Sequence, residues 1–218
     1  MTVKQYDVVL FDLDGTLTDP GEGITNSVAY AMGKFGMEVP ERKELYKFIG
    51  PTLAESFGEF CGLKGDDVTQ AIAWYREYYR HHGIHENLLY DGVEEMLRRL
   101  RDAGKTLLVA TSKPEPFARQ ILEGFGLTNY FTYIAGANFD ETRGDKADVI
   151  AYGLESAGIA ADDHVIMVGD RKFDVIGARQ NGLDCIGVLS GYGGRQELEQ
   201  AGARCIVEHI SDVADLLL

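Results

Sequence analysis

Four apolar residues in a row, Val8-Val9-Leu10-Phe11, run straight into Asp12-Leu13-Asp14-Gly15-Thr16. An apolar run without alternation is how a strand buried on both faces reads, and such strands belong to parallel sheets covered by helices on both sides. Alternation along the strand predicts that Asp12 and Asp14 share one side at its C-terminal end. That is the end at which ligands bind in open α/β sheets. Two carboxylates so close repel, so either one holds a proton or both meet a cation. A hard divalent cation with oxygen ligands, Mg²⁺ by preference, meets that need. Taken alone, the pair is balanced against a plain Asp-Gly turn closing a strand. A calcium loop does not fit, because the twelfth position from Asp12 is Gly23 rather than Glu and no helix leads in.

The rhythm of the following chain decides how that strand is housed. Gly21 to Phe35, Pro40 to Phe48, Leu53 to Cys61 and Asp66 to His81 carry helix-like spacing, with Asp66 or Asp67 as N-cap of the last. No β-type alternation interrupts them, which predicts an all-helical insertion in the loop after the first strand. From Asp91 helix and strand alternate. A helix over Gly92 to Asp102 precedes the strand Thr106 to Thr111, and Pro114 and Pro116 open the next helix. Phe131 to Gly136 reads as a strand and Lys146 to Ala157 as a helix. The strand Val165 to Gly169 ends in Asp170, a helix follows over Phe173 to Gln180 and a strand over Cys185 to Leu189, and a final helix–strand–helix closes the chain. Repeated βα units imply an α/β fold with a doubly wound parallel sheet. The expected domains are an α/β core, residues 1–19 and 89–218, and a small helical cap over 20–88; loops at that end of a sheet can carry lids.

Charge and cysteine usage narrow the partners. The formal net charge of −14 over 218 residues argues against a nucleic-acid polymer or an anionic membrane. No apolar stretch has membrane-spanning length, and Met1 to Asp7 does not read as a signal peptide. Cys61, Cys185 and Cys205 are odd in number and widely spaced, as expected of buried reduced thiols in a cytoplasmic protein.

Polar groups now gather at what can be one sheet edge: Asp12 and Asp14 after the first strand, Thr111 and Ser112 at the end of another, Lys146 opening a helix, and Asp170 with Asp174 four residues on. Lys113, Arg143, Arg171 and Lys172 would add a local positive region to an acidic chain. Each piece has a plain structural reading: a strand-end hydroxyl, a solvated lysine, an N-cap, an exposed acid. Their order and placement resemble the haloacid dehalogenase superfamily, whose phosphatases carry four motifs in this sequence. Here these stand as Asp12-Leu13-Asp14-Gly15-Thr16, Thr111, Lys146 and Gly169-Asp170-Arg171-Lys172-Phe173-Asp174.

The resemblance implies a Mg²⁺-dependent phosphatase of small-molecule phosphate monoesters. Asp12 would be the nucleophile, forming an aspartyl phosphate, and Asp14 the general acid/base. Thr111 and Lys146 would stabilise the phosphoryl oxygens, with Gly15, Ser112, Lys113 and Gly50 at the phosphate or substrate. Asp12, the backbone carbonyl of Asp14, and Asp170 would hold the metal, and Asp174 would stand behind them. The helical insertion matches the cap of one branch, and Ile49-Gly50-Pro51-Thr52-Leu53 is similar to that branch's cap loop. Tyr75, Arg76, Tyr79, Arg80 and Asn87 are candidates for contact with the leaving group.

The overall pattern most resembles phosphoglycolate phosphatase-like and 5′-nucleotidase-like members, and the run Gly187 to Gly193 is similar to theirs as well, so phosphoglycolate or a nucleoside monophosphate leads as substrate, turned over by a monomer or weak homodimer. The acid at position 14 argues against a dehalogenase. A phosphonate hydrolase would need a cap lysine, for which Lys34, Lys43 and Lys47 have no supporting context. A sugar-phosphate mutase shares every core motif. A phospho-acceptor signalling module needs neither Asp14 nor an insertion of some 70 residues, and a metabolic kinase is disfavoured because no Gly-x-x-x-x-Gly-Lys loop is present.

Overall fold

A computed structural model of the chain describes residues 5–140, 142–162 and 164–218; Met1 to Lys4 of the opening segment lie outside the described residues. By its internal contacts the chain divides into an α/β unit, Met1–Thr18 with Leu89–Leu218, and a helical unit, Asp19–Leu88. Both divisions fall inside a two-stranded ribbon made by β2 (Thr18–Asp19) and β3 (Leu88–Leu89).

The α/β unit is built on β1 (Val8–Phe11), whose four residues are all buried. Later strands are β4 (Thr106–Pro114), β5 (Tyr133–Ala137), β6 (Val165–Gly169), β7 (Asp184–Val188) and β8 (Cys205–Val207). They form one parallel sheet of six strands in the order β5-β4-β1-β6-β7-β8. The chain winds outward from β1 through β4 and β5, then crosses back to β6 on the other side and winds outward again. β1 is therefore the switch point, where the connections on its two sides leave in opposite directions and open a crevice at the C-terminal ends. Its register is set on both sides, with Phe11 opposite Val109 and Val168. The doubly wound parallel sheet expected from the sequence is present.

Five helices alternate with these strands: α5 (Val93–Asp102), α6 (Glu115–Gly124), α7 (Lys146–Ala157), α8 (Lys172–Gln180) and α9 (Arg195–Ala201); α10 (Asp212–Leu217) follows β8. Leu10, Leu108, Ala135, Met167 and Cys185 from the sheet meet Val149, Ile150, Leu154, Val175 and Ala178 of α7 and α8 in one apolar cluster. Cys185 is buried as expected, but Cys61 and Cys205 are only half-buried; all three are free thiols. No helix among the described residues is long and apolar enough to cross a membrane.

The helical unit holds α1 (Gly21–Lys34), α2 (Arg42–Leu45), α3 (Leu53–Cys61) and α4 (Asp66–His81). The expected start of α4 is corrected: Gly65 is the N-cap, and Asp66 and Asp67 fall in the first turn, where the helix dipole favours acids. Thr52 caps α3, its hydroxyl accepting from the Glu55 amide at 3.3 Å. The unit's interior is aromatic. Phe48 meets Phe57 and Phe60 edge-on at 5.4 and 5.3 Å between ring centroids, and Tyr75 stacks on Tyr79 at 5.6 Å. Gly50 lies in this unit with φ +114°, just beyond the single-turn helix Tyr46–Phe48.

Candidate active site

The three central strands β4, β1 and β6 bring the candidate residues together because they are neighbours. Asp12 follows β1 at once, its amide still donating to Val168 of β6 at 2.9 Å, and Asp170 lies two residues beyond Val168. Thr111, buried, belongs to β4. The expected extension of β1 through Asp14 is not found, since the strand stops at Phe11. Asp12 Oδ1 accepts the Leu13 amide at 2.7 Å, and the Leu17 and Thr18 amides both donate to the Leu13 carbonyl, so the chain turns there. Asp14 is thus presented by a turn rather than by strand alternation.

Four charged side chains converge in the interior. Lys146, the first residue of α7, places Nζ 2.8 Å from Asp12 Oδ1 and 2.9 Å from Asp174 Oδ1. The same ammonium donates to the Ala110 carbonyl of β4 at 3.1 Å. Carboxylate oxygens of Asp12, Asp170 and Asp174 lie within 4.8 Å of one another. Asp170 and Asp174 are fully buried, and Asp12 and Lys146 nearly so. Burial disfavours the charge on Lys146, but Asp12 and Asp174 overcome it and hold the ammonium's pKa above the ordinary lysine value. Burial, then Asp174 and Asp12, push the Asp170 carboxyl up to about 8. Burial raises Asp174 to about 6 against the pull of Lys146.

Three buried carboxyls facing one ammonium would, fully ionised, leave two negative charges over, which, together with burial, is why two of them hold their protons so high and is what a divalent cation would offset. The donor set is all oxygen and all hard, which fits Mg²⁺ and fits zinc or copper poorly. Asp12, Asp170 and Asp174 could hold such an ion.

Asp14 has a separate partner. Its Oδ2 lies 2.5 Å from Nζ of Lys113, a buried lysine of β4. The register between β4 and β5 slips between Thr111 and Pro114, and irregularities of this kind re-aim side chains. The lysine read from sequence as a phosphate contact is therefore engaged by Asp14. Burial raises the Asp14 carboxyl above the usual range, and Lys113 opposes the rise.

The remaining candidates are placed as follows. Thr111 Oγ1 accepts the Lys113 amide at 3.3 Å, and Ser112 lies half-buried between them. Gly15, at φ +85°, has Asp170 where a Cβ would sit, its Oδ2 only 2.4 Å from that position; the close approach Gly15 permits is to this acid. The positive region expected from scattered basic residues is largely committed elsewhere. Arg171 pairs with Glu197 at 2.9 Å, and Arg143 stands 3.6 Å over the Tyr152 ring, with Glu115 at 3.8 Å.

Two participants escaped the sequence reading. Thr16, fully buried, donates its hydroxyl to Asp170 Oδ1 at 3.2 Å, and the Tyr192 amide donates to Oδ2 at 2.7 Å. Thr16 was visible only as a motif member, and the one hint of the second contact was the glycine spacing Gly191-Tyr192-Gly193.

Residues 9–188 match the haloacid dehalogenase-like hydrolase family. A 5′-nucleotidase of Pseudomonas aeruginosa is 45% identical over 194 residues, covering 89% of this chain and 87% of that protein. The tyrosine-protein kinase PtkA of Mycobacterium bovis is 41% identical over 209 residues, 96% of this chain and 70% of PtkA. A crystal structure of a predicted phosphatase from Clostridium acetobutylicum superposes with a TM-score of 0.94 at 48% identity, covering 97% of each chain. With a match that spans the sheet from β1 to β7 and relatives alike over nearly its whole length, this chain belongs to the haloacid dehalogenase-like hydrolase family.

Proposed function

We propose that the protein is a Mg²⁺-dependent phosphomonoesterase that works through a phosphorylated Asp12. The observation that carries this reading is the Asp12 carboxylate, fixed by the Leu13 amide and by Lys146 at 2.8 Å, beside two further buried acids. An Asp12 oxygen attacks phosphorus, and the bond from phosphorus to the leaving oxygen breaks. Asp14 gives its proton to that oxygen, a role suited to a carboxyl that burial holds up. Asp14 then takes a proton from water as the water attacks phosphorus. The Asp12–phosphorus bond breaks, and inorganic phosphate leaves. Lys146 and the Thr111 hydroxyl would meet the phosphoryl oxygens, where negative charge has to be stabilised. Mg²⁺, held by Asp12, Asp170 and the Asp14 carbonyl with Asp174 beside them, would screen the repulsion between carboxylate and phosphate.

The substrate class we infer is a small-molecule phosphate ester, with a nucleoside monophosphate first and phosphoglycolate next. The 5′-nucleotidase name of a relative at 45% identity supports that order. PtkA's name raises a second reading, transfer of the phosphoryl group to an acceptor hydroxyl instead of water; a mutase would do the same with a sugar.

Incubation with p-nitrophenyl phosphate, with Mg²⁺ or with EDTA, separates these readings. Sustained phosphate release that EDTA stops is expected, with acid-quenched enzyme labelled on Asp12. Asp12→Asn should lower turnover by at least about a thousandfold while the circular dichroism spectrum is kept. Stoichiometric labelling without turnover, or full activity in Asp12→Asn, would remove the hydrolase mechanism. A panel of nucleoside monophosphates, phosphoglycolate, sugar phosphates and pyrophosphate then ranks the substrates by kcat/KM.

A further inference from the structure

We propose that Thr16 is a positioning residue for the metal ligand Asp170, acting with the strap of residues 190–193. This rests on the assignment of Asp170 to the metal made above and adds a residue that the motif logic left without a task. Asp170 is fully buried, so its carboxylate orientation is set by the protein and not by solvent. Each of its oxygens accepts one donor from a distant part of the chain: Oδ1 from the Thr16 hydroxyl at 3.2 Å, and Oδ2 from the Tyr192 amide at 2.7 Å. A carboxylate has about four lone-pair sites. One used on each oxygen fixes the plane of the group and leaves lone pairs over for the one oxygen that Asp170 brings to the cluster with Asp12 and Asp174.

The two donors are brought together by one close approach. A Cβ on Gly191 would lie 2.2 Å from the Gly15 carbonyl oxygen and 2.3 Å from Asp170 Oδ2, so only glycine lets the strap lie against the turn that carries Thr16. Thr16 is itself fully buried and β-branched, which restricts its rotamer and keeps the hydroxyl aimed. Groups that orient a metal ligand in this way change metal affinity by about 10–100-fold when removed. The contact Thr16 makes is to Asp170, and its effect passes through that carboxylate.

The test is calorimetric titration of Mg²⁺ into the metal-free full chain, so that affinity is read without turnover. Thr16→Val keeps the shape and loses the hydroxyl, and Thr16→Ser keeps the hydroxyl; Asp170→Asn controls for the ligand itself. The expected result is loss of Mg²⁺ binding in Asp170→Asn, a Kd raised at least about tenfold in Thr16→Val, and a Kd within about threefold of the parent in Thr16→Ser. Should Thr16→Val not fold, Thr16→Ala carries the same expectation. If Asp170→Asn loses the ion while Thr16→Val binds as the parent does, the positioning role is overturned and the proposed function stands. Equal weakening in the valine and serine variants would also overturn it, because packing and not the hydroxyl would then be at work. If Asp170→Asn binds Mg²⁺ unchanged, the metal assignment falls first and takes the role of Thr16 with it.

Discussion

The two units of this protein use burial for opposite ends. The α/β unit buries Asp12, Asp170, Asp174, Lys113 and Lys146, while in the helical unit no charged side chain is buried among the described residues. Where the first unit has charges in its interior, the second has rings: Phe48, Phe57, Tyr75 and Tyr79. Buried charge is costly unless it is paired, and pairing so many acids with so few lysines is a poor way to gain stability. Rings stabilise by area and by edge contacts at little electrostatic cost. The difference teaches that the α/β unit gives up stability to hold a cluster of charges in its interior, whereas the helical unit is packed as an ordinary small core.

Removing charge from the first unit should therefore do more harm than trimming a ring from the second. Lys146→Met leaves Asp12 and Asp174 without their shared cation. It is expected to cost about 3–5 kcal/mol in urea unfolding of the metal-free protein, and turnover should fall at least about a hundredfold. A loss under about 1 kcal/mol would mean that the cluster is not the stored cost described here.

The acids set the next effect. Asp170 and Asp174 sit at about 8 and about 6 when folded, against an unfolded value near 3.9. The folded chain then binds more protons than the unfolded chain between those limits, so stability without metal falls as pH rises from about 4 to about 8. Mg²⁺ should offset that loss, raising Tm at pH 8 by roughly 4–8 °C, near 2 kcal/mol for a chain of this length, and raising it far less at pH 5. Equal gains at both pH values would break the link between acids and ion.

The smallest effect belongs to the helical unit. Phe57→Leu removes ring contacts to Phe48 and Tyr75 and should cost about 1–2 kcal/mol, leaving the Mg²⁺ Kd measured by calorimetry unchanged. A shift in that Kd would show that the two interiors are not independent.

Reading the residues in order went far because several signals here are local. An apolar run ending in Asp12-x-Asp14, Lys146 at a helix start, and Asp170 at a strand end are each written in a few neighbouring residues. Once β1, β4 and β6 are side by side, Asp12, Thr111 and Asp170 arrive at one edge by the geometry of a parallel sheet. The helices over Leu53–Cys61 and Lys146–Ala157 were legible to the residue because periodicity and the glycine stops Gly62 and Gly158 agree there.

What stayed hidden involves side chains far apart in sequence. Lys113 meets Asp14 across 99 positions, and Thr16 meets Asp170 across 154. Neither pairing follows from a spacing rule, since each depends on a departure from regular structure: the register slip in β4, and the turn that ends β1 at Phe11. The sequence by itself determined that the sheet is parallel and doubly wound and which residue types stand at the ends of its strands, because hydrophobic period and the alternation of elements settle those locally; the strand order that makes β1 the switch point came from the fold. Which acid pairs with which base, and which hydroxyl aims the buried Asp170, only the folded chain decided, because contacts across the core depend on packing that no short stretch contains.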